Sequence, residues 1–292
     1  MEKTSKKSET ATQRQSRRRI LKRACLGVAA AGAAYTAGTS QLLDVTRVPF
    51  TVTRLGEGLN GLKVAFAADF HMGPHFPLAK VKAAVKKLSS LQPDIILLGG
   101  DYVTRSSARL EEVFAVLKRL HAPLGVYAVP GNHDYWSGMS DFATVLEGSS
   151  IANITNRAVR IERGGSSLWI AGLDDLWGGS PDPDAALADV PADAPRIVMC
   201  HNPYTVHDLP AASADFVLAG HTHGWQVYVP LVTRFLVPGN MSKFRAGFYR
   251  TAAGVMYVTR GVGMIAPPIR LWCRPEIVLF ELGTGGGTRA RS

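Results

Sequence analysis

Short apolar runs alternate with amphipathic stretches along the first half of the chain. The runs at 62–68, 94–98 and 125–129 are too short for helices and consist mainly of Val, Ile, Leu and Ala, which is typical of buried strands. Between them, the stretches 78–91 and 110–120 carry apolar residues at helical spacing, separated by charged residues. This alternation of strands and helices predicts an α/β fold.

The second half of the chain is rich in short strands and poor in helices, which indicates added antiparallel strands. A short helix is predicted at 142–146. Beyond it we expect strands at 157–162, 168–173, 197–200, 216–219, 226–229, 255–259 and 276–281. No linker long enough to separate two domains interrupts the pattern, so a single domain is expected over 41–282. The Gly-rich, basic stretch 283–292 predicts a disordered tail.

The positive charge is concentrated at the start of the chain. The 292 residues include 33 Lys and Arg against 23 Asp and Glu, a net charge of +10. Nine basic and two acidic residues fall within the first 23 positions, so this segment holds +7 and the remainder only +3. A charge of +3 gives little electrostatic support for a polyanionic partner, and no nucleic-acid partner is expected.

The basic start precedes an uncharged stretch, 24–43, that is rich in Ala and Gly. This order is the layout of an export signal. Residues 16–22 read Ser-Arg-Arg-Arg-Ile-Leu-Lys and resemble the twin-arginine signal pattern. We therefore expect 1–40 to be a signal peptide recognised by the twin-arginine translocase, and the protein to reach the periplasm or the cell envelope.

Two alternatives remain open for this segment. The uncharged 24–43 stretch is just long enough to span a bilayer, so an uncleaved anchor in the inner membrane is the alternative to cleavage. The second alternative is a basic tail followed by an Ala-rich helix, without a role in export.

Polar residues cluster where five predicted strands end. In an open α/β sheet, ligands bind at the carboxyl ends of the strands. Carboxylate, amide and imidazole groups delivered to one such edge are typical of a metal site. Two residues separated by one position on extended backbone project to the same side, so an Asp-x-His pair can reach one ion. The blocks are Asp69-Phe70-His71, Gly100-Asp101, Gly131-Asn132-His133-Asp134, His201 and Gly220-His221-Thr222-His223.

These five blocks, in this order, resemble those of the calcineurin-like metallophosphoesterases. The resemblance covers 63 to about 223 and extends to the strands that reach 281. It implies a single domain of the metallophosphoesterase type, a two-sheet β-sandwich flanked by helices in α/β/β/α layers, with a dinuclear metal centre at the sheet ends.

The resemblance also implies a role for each matching residue. One ion would be bound by Asp69, His71 and His223, the second by Asn132, His201 and His221, and Asp101 would bridge both. His133 would act as proton donor or charge stabiliser, with its ring oriented by Asp134. The implied cofactors are two divalent or trivalent ions, and this set of oxygen and nitrogen ligands suits Mn, Fe or Zn without choosing among them. A hydroxide bridging the ions would attack phosphorus in line.

The predicted function is therefore that of an exported metal-dependent hydrolase of phosphate mono- or diesters. Segments 131–136, 172–175 and 270–276 resemble the exported envelope branch of the family, which favours a phosphodiester, phospholipid or envelope-linked substrate. The alternative is hydrolysis of the pyrophosphate in UDP-2,3-diacylglucosamine during lipid A synthesis. That substrate faces the cytoplasm, so a twin-arginine signal argues against it. A non-catalytic scaffold is a further alternative, which the complete ligand set disfavours.

Four further features lie outside the ligand set. The sequence leaves two interpretations open for three of them and gives one expectation for Trp225. The aromatic and basic segment 231–249 either faces a membrane or lipid or packs over the sheet. The pair 174–175 either supports the metal centre or forms a turn. Trp225 stands where related chains often have Gly and is expected to pack over the substrate entrance. Cys200 and Cys273 either form a disulfide after export or stay free, and a free buried thiol is favoured for Cys200.

Overall fold

The computed structural model describes residues 42–139 and 142–285, together with the isolated positions 19, 20, 22, 23, 27 and 38. The predicted signal or anchor at 1–40 lies almost entirely outside these residues. The end of the predicted tail, 286–292, also lies outside them, whereas its first residue is the last of a strand. Among the described residues, no helix combines the length and apolar character needed to cross a membrane.

The first sheet has six strands with a parallel centre. Its strands, in spatial order, are β1 (Asp44–Thr51), β12 (Glu276–Gly283), β2 (Leu62–Ala67), β3 (Ile95–Gly99), β4 (Val126–Val129) and β5 (Ile151–Asn153). Strands β2 to β5 are parallel, β12 runs antiparallel to β2, and β1 is parallel to β12.

The second sheet also has six strands. In spatial order they are β10 (Gly247–Arg250), β11 (Val255–Val258), β9 (Phe216–Ala219), β8 (Arg196–Met199), β7 (Ser166–Gly172) and β6 (Arg157–Arg163). The four central strands are parallel, and the two edge strands, β10 and β6, are antiparallel to their neighbours. Most short strands of the second half therefore build this sheet, while β5 and β12 join the first. The expectation that the added strands are antiparallel is met only by β6, β10 and β12, because β7, β8, β9 and β11 pair in parallel.

Five α-helices lie within 42–139 and 142–285. They are α1 (Leu78–Ser90), α2 (Ser107–Leu117), α3 (Asn132–Trp136), α4 (Phe142–Leu146) and α5 (Pro183–Leu187). In α1, Val81, Val85 and Leu88 are buried at helical spacing, which places one apolar stripe against the first sheet.

The alternation of side chains along the strands divides the interior into layers. In β2, Val64 and Phe66 lie in the apolar core between the two sheets, while Ala65 and Ala67 lie in the core beneath α1 and α2. A third core covers the outer face of the second sheet, beneath α5 and the 244–253 segment. The layers run helix, sheet, sheet, helix, which confirms the predicted fold.

Most predicted elements are present within a few residues of their expected ends, with one exception. The strand predicted at 226–229 is wrong, because Val227 forms only an isolated bridge to Leu271. The preceding residues Trp225 and Gln226 have φ values of 68° and 53°, which break extended backbone. Strands β1, β5 and β10 and helices α3 and α5 were not predicted.

Candidate metal centre

Seven side chains from both sheets converge at one edge of the sandwich. Asp69, Asp101 and Asn132 follow β2, β3 and β4 of the first sheet. His201 and His221 follow β8 and β9 of the second. The parallel strands of the two sheets end at the same edge, so residues distant in sequence meet there. All seven, including His71 and His223, are at most 6% exposed.

Asp69, His71 and His223 form the first group, with one potential ligand atom from each lying within 4.8 Å of the others. The Nε2 atoms of His71 and His223 are 2.9 Å apart, and the Nε2 atom of His223 is 3.6 Å from the Oδ1 atom of Asp69. These are the residues predicted to hold one ion, and the structure brings them together.

Asp101, His201 and His221 form the second group, again within 4.8 Å. The Nδ1 atom of His221 lies 2.9 Å from the Oδ1 atom of Asn132 and 3.3 Å from the Nε2 atom of His201. The side-chain oxygen of Asn132 therefore lies next to this group, with which the sequence had placed it at one ion.

Asp101 joins the two groups through a single oxygen. Its Oδ2 atom is 3.2 Å from the Nε2 atom of His71 and 3.1 Å from the Nε2 atom of His201. Its other oxygen, Oδ1, accepts a hydrogen bond from the main-chain N–H of His133 at 2.8 Å. One carboxylate oxygen placed between two ligand groups is the arrangement that a bridging residue requires.

The contact between His201 and Asp101 requires a proton or a metal ion. Its Nδ1 atom donates to the carbonyl oxygen of Gly99 at 2.7 Å, because a carbonyl can only accept. In a neutral ring the Nε2 lone pair then faces the carboxylate of Asp101, and two acceptors meet. A proton or a metal ion between them removes the conflict, and an imidazole whose second nitrogen donates to a main-chain carbonyl is typical of metal ligands.

Burial shifts the titration of these groups in opposite directions. Burial raises the pKa of the Asp69 carboxyl to about 7 and lowers the pKa of His221 to about 3. Burial alone would also raise the pKa of Asp101, but the attraction of His201 and His71 holds that pKa well below its usual range. The protein alone therefore compensates only part of the negative charge of the buried carboxylates. Bound cations would stabilise ionised carboxylates and neutral imidazoles at the same time.

Several buried atoms of the cluster lack a hydrogen-bond partner among the described residues. They are the Oδ2 atom of Asp69, the Nδ1 atoms of His71 and His223, and the Nε2 atom of His221. Buried polar atoms in proteins are nearly always paired, so this concentration is unusual. Together with the mixed carboxylate, amide and imidazole donors, it shows that the residues present fit divalent metal ions.

The backbone around the cluster is folded tightly. The residues Asp69, His71, Asp101, His221 and His223 all have φ between 47° and 70°, the left-handed region that non-glycine residues rarely adopt. Each turns the chain sharply just after a strand, so that side chains return toward one point. Such conformations persist only where the surroundings enforce them, and they concentrate at functional sites.

Gly131 provides space beside the carboxylate of Asp101. A Cβ atom at this position would collide with the Oδ1 and main-chain N atoms of Asp101. Gly131 has φ of −118°, which any residue can adopt, so its role is close approach and not backbone freedom.

His133 borders the cluster without belonging to either predicted ligand set. Its ring centroid is 4.7 Å from that of His71, in an edge-on orientation. Its Nδ1 atom donates to the carbonyl oxygen of Thr104 at 2.7 Å, which leaves Nε2 as the free ring nitrogen. The structure also groups His133 with His71 and Asp101 as a third set of ligand types within 4.8 Å.

The contact predicted for Asp134 is wrong, because this side chain does not orient the ring of His133. Its Oδ2 atom accepts from the main-chain N–H groups of Asp101 and Gly131, both at 2.9 Å, and its Oδ1 atom accepts from that of Tyr102 at 2.8 Å. Asp134 lies in the first turn of α3, where a carboxylate naturally meets unpaired N–H groups. It therefore fixes the turn that carries Asp101.

Two tryptophans beside the cluster were not given a role by the sequence. Trp136 and Trp177 are 50% and 40% exposed, and their rings are nearly parallel with centroids 6.4 Å apart. Trp136 lies 4.9 Å from the ring of His133, and Trp177 lies edge-on 4.4 Å from that of His221. We call this pair the aromatic wall. A signal for Trp136 was available, since it follows His133 by three positions and so shares its helix face.

The structure shows a turn at 174–175. Asp175 also acts on the cluster, because its charge adds to that of Asp101 in raising the pKa of His201 well above its usual value against burial. The Oδ1 atom of Asp175 accepts from the N–H groups of Trp177 and Gly178. Asp174 accepts from the hydroxyl of Tyr135 at 2.6 Å and from the N–H of Ser180. The two carboxylates therefore shape the turn that presents Trp177 to the cluster.

The remaining expectations concern Trp225 and the cysteines. The indole N–H of Trp225 donates to the carbonyl of Met241, and its ring packs 6.3 Å from Tyr228. The contacts of Trp225 are therefore with the loop that follows it. The tryptophans that contact histidines of the cluster are Trp136 and Trp177. Cys200 and Cys273 are both buried free thiols.

The chain matches known proteins over the part that builds this cluster. Residues 62–225 match the family model described as calcineurin-like phosphoesterase. The protein of Escherichia coli (strain K12) named Phosphodiesterase YaeI is 34% identical over 224 residues, which cover 75% of this chain and 82% of that protein.

Two further relatives cover more of the chain. The Bacillus subtilis (strain 168) protein named Uncharacterized metallophosphoesterase YkuE is 27% identical over 281 residues, 92% of this chain and 98% of that one. The Chlamydia trachomatis protein named UDP-2,3-diacylglucosamine pyrophosphatase LpxG is 28% identical over 297 residues, 82% of this chain and 89% of that one.

Proposed function

The chain belongs to the calcineurin-like phosphoesterase family and is a metal-dependent phosphoester hydrolase, and from that premise we propose that it cleaves phosphodiesters at a two-ion centre. The observation that carries the proposal is Asp101, whose single oxygen lies 3.2 Å from His71 and 3.1 Å from His201 and so belongs to both ligand groups.

Each ion would have its own set of ligands. Asp69, His71 and His223 would hold the first, and Asn132, His201 and His221 the second, with Asp101 shared. When bound, divalent ions at such a centre acidify water and offset the negative charge of a phosphoryl group. The metal identity that the donor set supports is Mn, Fe or Zn.

His133 would handle the proton of the leaving group. Its Nδ1 atom is committed to the carbonyl of Thr104 at 2.7 Å, so a proton at Nε2 is the one it can hold for the departing oxygen. The same hydrogen bond fixes the plane of the ring beside His71. Asp134 would contribute indirectly, by holding the turn of Asp101.

The aromatic wall supports a diester over a small monoester as substrate. A phosphodiester carries a second substituent that must rest beside the metal centre. Trp136 and Trp177, which are half-exposed and lie against His133 and His221, offer this substituent an apolar surface. The name of the Escherichia coli relative, a phosphodiesterase, agrees with this choice.

The second candidate is hydrolysis of the pyrophosphate of UDP-2,3-diacylglucosamine. It is favoured by the printed name of the chlamydial relative, which is 28% identical to this chain. Both candidates would use the same ligands, and they differ in the substituent that rests on the aromatic wall and in the side of the membrane where the substrate is found.

A substrate panel separates the candidates. Metal-reconstituted protein is assayed on bis-p-nitrophenyl phosphate, p-nitrophenyl phosphate, phospholipids and UDP-2,3-diacylglucosamine. The Asn132→Ala variant removes a proposed ligand, and Asn60→Ala, an exposed asparagine, is its matched control. We expect the diester to be hydrolysed fastest and only Asn132→Ala to lose that activity. Activity on the UDP-lipid alone would favour the second candidate, and equal rates for Asn132→Ala and wild type would refute the two-ion proposal.

For location, we propose export by the twin-arginine translocase to the periplasm or cell envelope, with 1–40 as a cleaved signal or an inner-membrane anchor. The support is the Ser-Arg-Arg-Arg-Ile-Leu-Lys pattern at 16–22, followed by the uncharged stretch 24–43. Cell fractionation of the full-length protein tests it, with Arg17→Lys combined with Arg18→Lys as the variant. We expect this variant to stay in the cytoplasm, and a wild-type protein found there would refute the proposal.

A further inference from the structure

Exposed apolar side chains are concentrated in two loops that follow the last metal-ligand block. Leu231, Val232, Phe235 and Leu236 are between 51% and 80% exposed. In the second loop, Ile269 is 42% and Trp272 is 59% exposed. These six account for more than half of the eleven large apolar side chains that are exposed in the described part of the chain. Isolated exposed apolar residues are ordinary, but a cluster marks an interaction surface.

The two loops are joined at their bases. The N–H of Tyr228 donates to the carbonyl of Leu271 at 3.0 Å, and the N–H of Leu271 donates to that of Gln226 at 2.9 Å. The side-chain amide of Gln226 also donates to the carbonyls of Ile265 and Pro267, both at 3.1 Å. The bases of the two loops are therefore held side by side, and we call the six exposed apolar side chains that they carry the docking surface.

The first of these loops is an ordered turn with internal hydrogen bonds. Thr233 is buried, and its hydroxyl oxygen accepts from the N–H of Val229 at 2.7 Å. The N–H groups of Val232 and Thr233 both donate to the carbonyl of Val229, and that of Leu236 donates to Thr233. Four of the six N–H groups of 231–236, those of Val232, Thr233, Phe235 and Leu236, are paired within the turn, which lowers the cost of bringing it to an apolar phase.

The charge around the docking surface is of one sign. Positions 216–275 contain no Asp or Glu and seven Lys or Arg. Arg234, Lys243 and Arg250 are exposed, and the guanidinium of Arg234 lies 4.6 Å over the ring of Phe235. Apolar and aromatic side chains bordered by basic residues match a bilayer with anionic headgroups.

The rest of the aromatic and basic segment packs against the protein. Phe244 is only 2% exposed, and the ring of Phe248 stacks 6.3 Å from that of Phe216 in the second sheet. The packing interpretation of 231–249 therefore holds for Phe244 and Phe248. For 231–236, where Leu231, Val232, Phe235 and Leu236 are exposed, the membrane interpretation remains a proposal.

We propose that the docking surface rests on a lipid bilayer that contains anionic phospholipids. The turn begins eight positions after His223, so docking would hold His223 within about 30 Å of the bilayer surface. The inference concerns an interaction surface and holds whether or not the substrate of the centre is a lipid. Its test therefore does not use activity as the readout of binding.

Hydrogen–deuterium exchange of the full-length protein on vesicles tests the proposal locally. Peptides from the two loops are followed with phosphatidylcholine vesicles and with mixed phosphatidylcholine–phosphatidylglycerol vesicles. Reading exchange peptide by peptide keeps binding by the first 41 residues separate from binding by the docking surface. We expect the mixed vesicles to slow exchange in both loops about tenfold or more, and phosphatidylcholine alone to have a smaller effect.

Two double variants sharpen the test. Phe235→Ser with Leu236→Ser removes apolar area, and we expect the vesicle effect on the 265–272 loop to fall about tenfold. Arg234→Gln with Lys243→Gln should abolish the preference for phosphatidylglycerol. Lys82→Gln with Lys86→Gln removes the same charge from the exposed face of α1. In this control variant, vesicles should slow exchange in both loops as much as they do in the wild type.

Three results would overturn the proposal. The first is unchanged exchange in both loops with every vesicle. The second is an undiminished vesicle effect in the Phe235→Ser, Leu236→Ser variant, provided that it hydrolyses a soluble diester as wild type does and is therefore folded. The third is protection of the loops that rises with protein concentration in the absence of vesicles, which would assign the surface to a second copy of the chain.

Discussion

The Nε2 atom of His201 lies 3.1 Å from the Oδ2 atom of Asp101, while the Nδ1 atom of the same ring donates to the carbonyl of Gly99 at 2.7 Å. The main-chain carbonyl belongs to the first sheet and the histidine to the second, so this ring ties the two sheets together at the cluster. It also leaves two acceptors facing each other unless a proton or a metal ion lies between them.

Replacing His201 should remove one ion and spare the other. In His201→Ala the second group loses an imidazole, whereas Asp69, His71 and His223 are untouched. We expect the number of bound ions per chain to fall by one and diester hydrolysis to fall about a hundredfold or more, because changes even behind a metal ligand cost 10–100-fold. His121→Ala, an exposed histidine outside the cluster, should retain the wild-type metal content and rate.

Metal binding should raise thermal stability. Carboxylates and imidazoles buried together without full compensation favour the metal-loaded state over the metal-free one. At a metal concentration about 100 times the Kd, binding contributes about 2.7 kcal/mol. For a domain of this size that corresponds to a rise in Tm of roughly 5–10 °C. Calorimetry with and without a chelator measures it, and a Tm that does not respond to metal would count against the ligand assignment.

Gly131 should tolerate no side chain. In Gly131→Ala the added methyl group meets Asp101, and we expect a loss of about 1–3 kcal/mol in the free energy of unfolding together with reduced metal binding. Gly239→Ala is the control, since a Cβ atom at Gly239 meets nothing within 4 Å. Equal urea midpoints for the two variants would contradict the close approach seen at Gly131.

The aromatic wall should act on substrate binding more than on chemistry. In Trp177→Ala the turn held by Asp174 and Asp175 remains, but the surface beside His221 is lost. Aromatic contacts contribute about 0.5–1.5 kcal/mol beyond area burial, so KM for a diester should rise several-fold while kcat changes less. Steady-state kinetics test this, with Trp272→Ala as control on the docking surface. A drop in kcat alone would show that Trp177 serves the reaction and not the substituent.

Glu276 should contribute far more to the free energy of unfolding than Glu281, which lies on the same strand. This 1%-exposed carboxylate pairs with Arg260 at 2.7 Å and accepts hydrogen bonds from the hydroxyls of Tyr257 and Thr259. Glu276→Gln should lower the free energy of unfolding by about 2–4 kcal/mol, because it leaves the buried network without its charge. Glu281→Gln, exposed on β12, should change it little, and equal losses would contradict this account.

The sequence predicted which side chains would come together in the cluster, because the signal for each of them is local. Asp69, Asp101, Asn132, His201 and His221 each follow an apolar strand directly, so position along the strand already placed them at one edge. What it could not predict depends on contacts between distant segments. Strand β1 forms by pairing with β12, more than 200 residues away, and its own sequence carries Asp, Arg and Pro.

The same distinction explains the corrections near the cluster. The direction of Asp134 depends on the unpaired N–H groups of Gly131, Asp101 and Tyr102, which meet only in the folded protein. The position of Trp177 depends on a turn that docks against Tyr135 through Asp174. Residue type and spacing identified the residues that form the cluster, but the side chains that hold and surround them could be identified only from the fold.

The central claim is that Asp101 serves two metal ions at once in a diester hydrolase. The most direct test measures metal content by mass spectrometry and bis-p-nitrophenyl phosphate hydrolysis on the same preparations of wild type and Asp101→Asn. We predict two ions per chain and metal-dependent hydrolysis for wild type, and loss of both ions and about a hundredfold or more of the rate for Asp101→Asn. Wild-type metal content and rate in that variant would contradict the account.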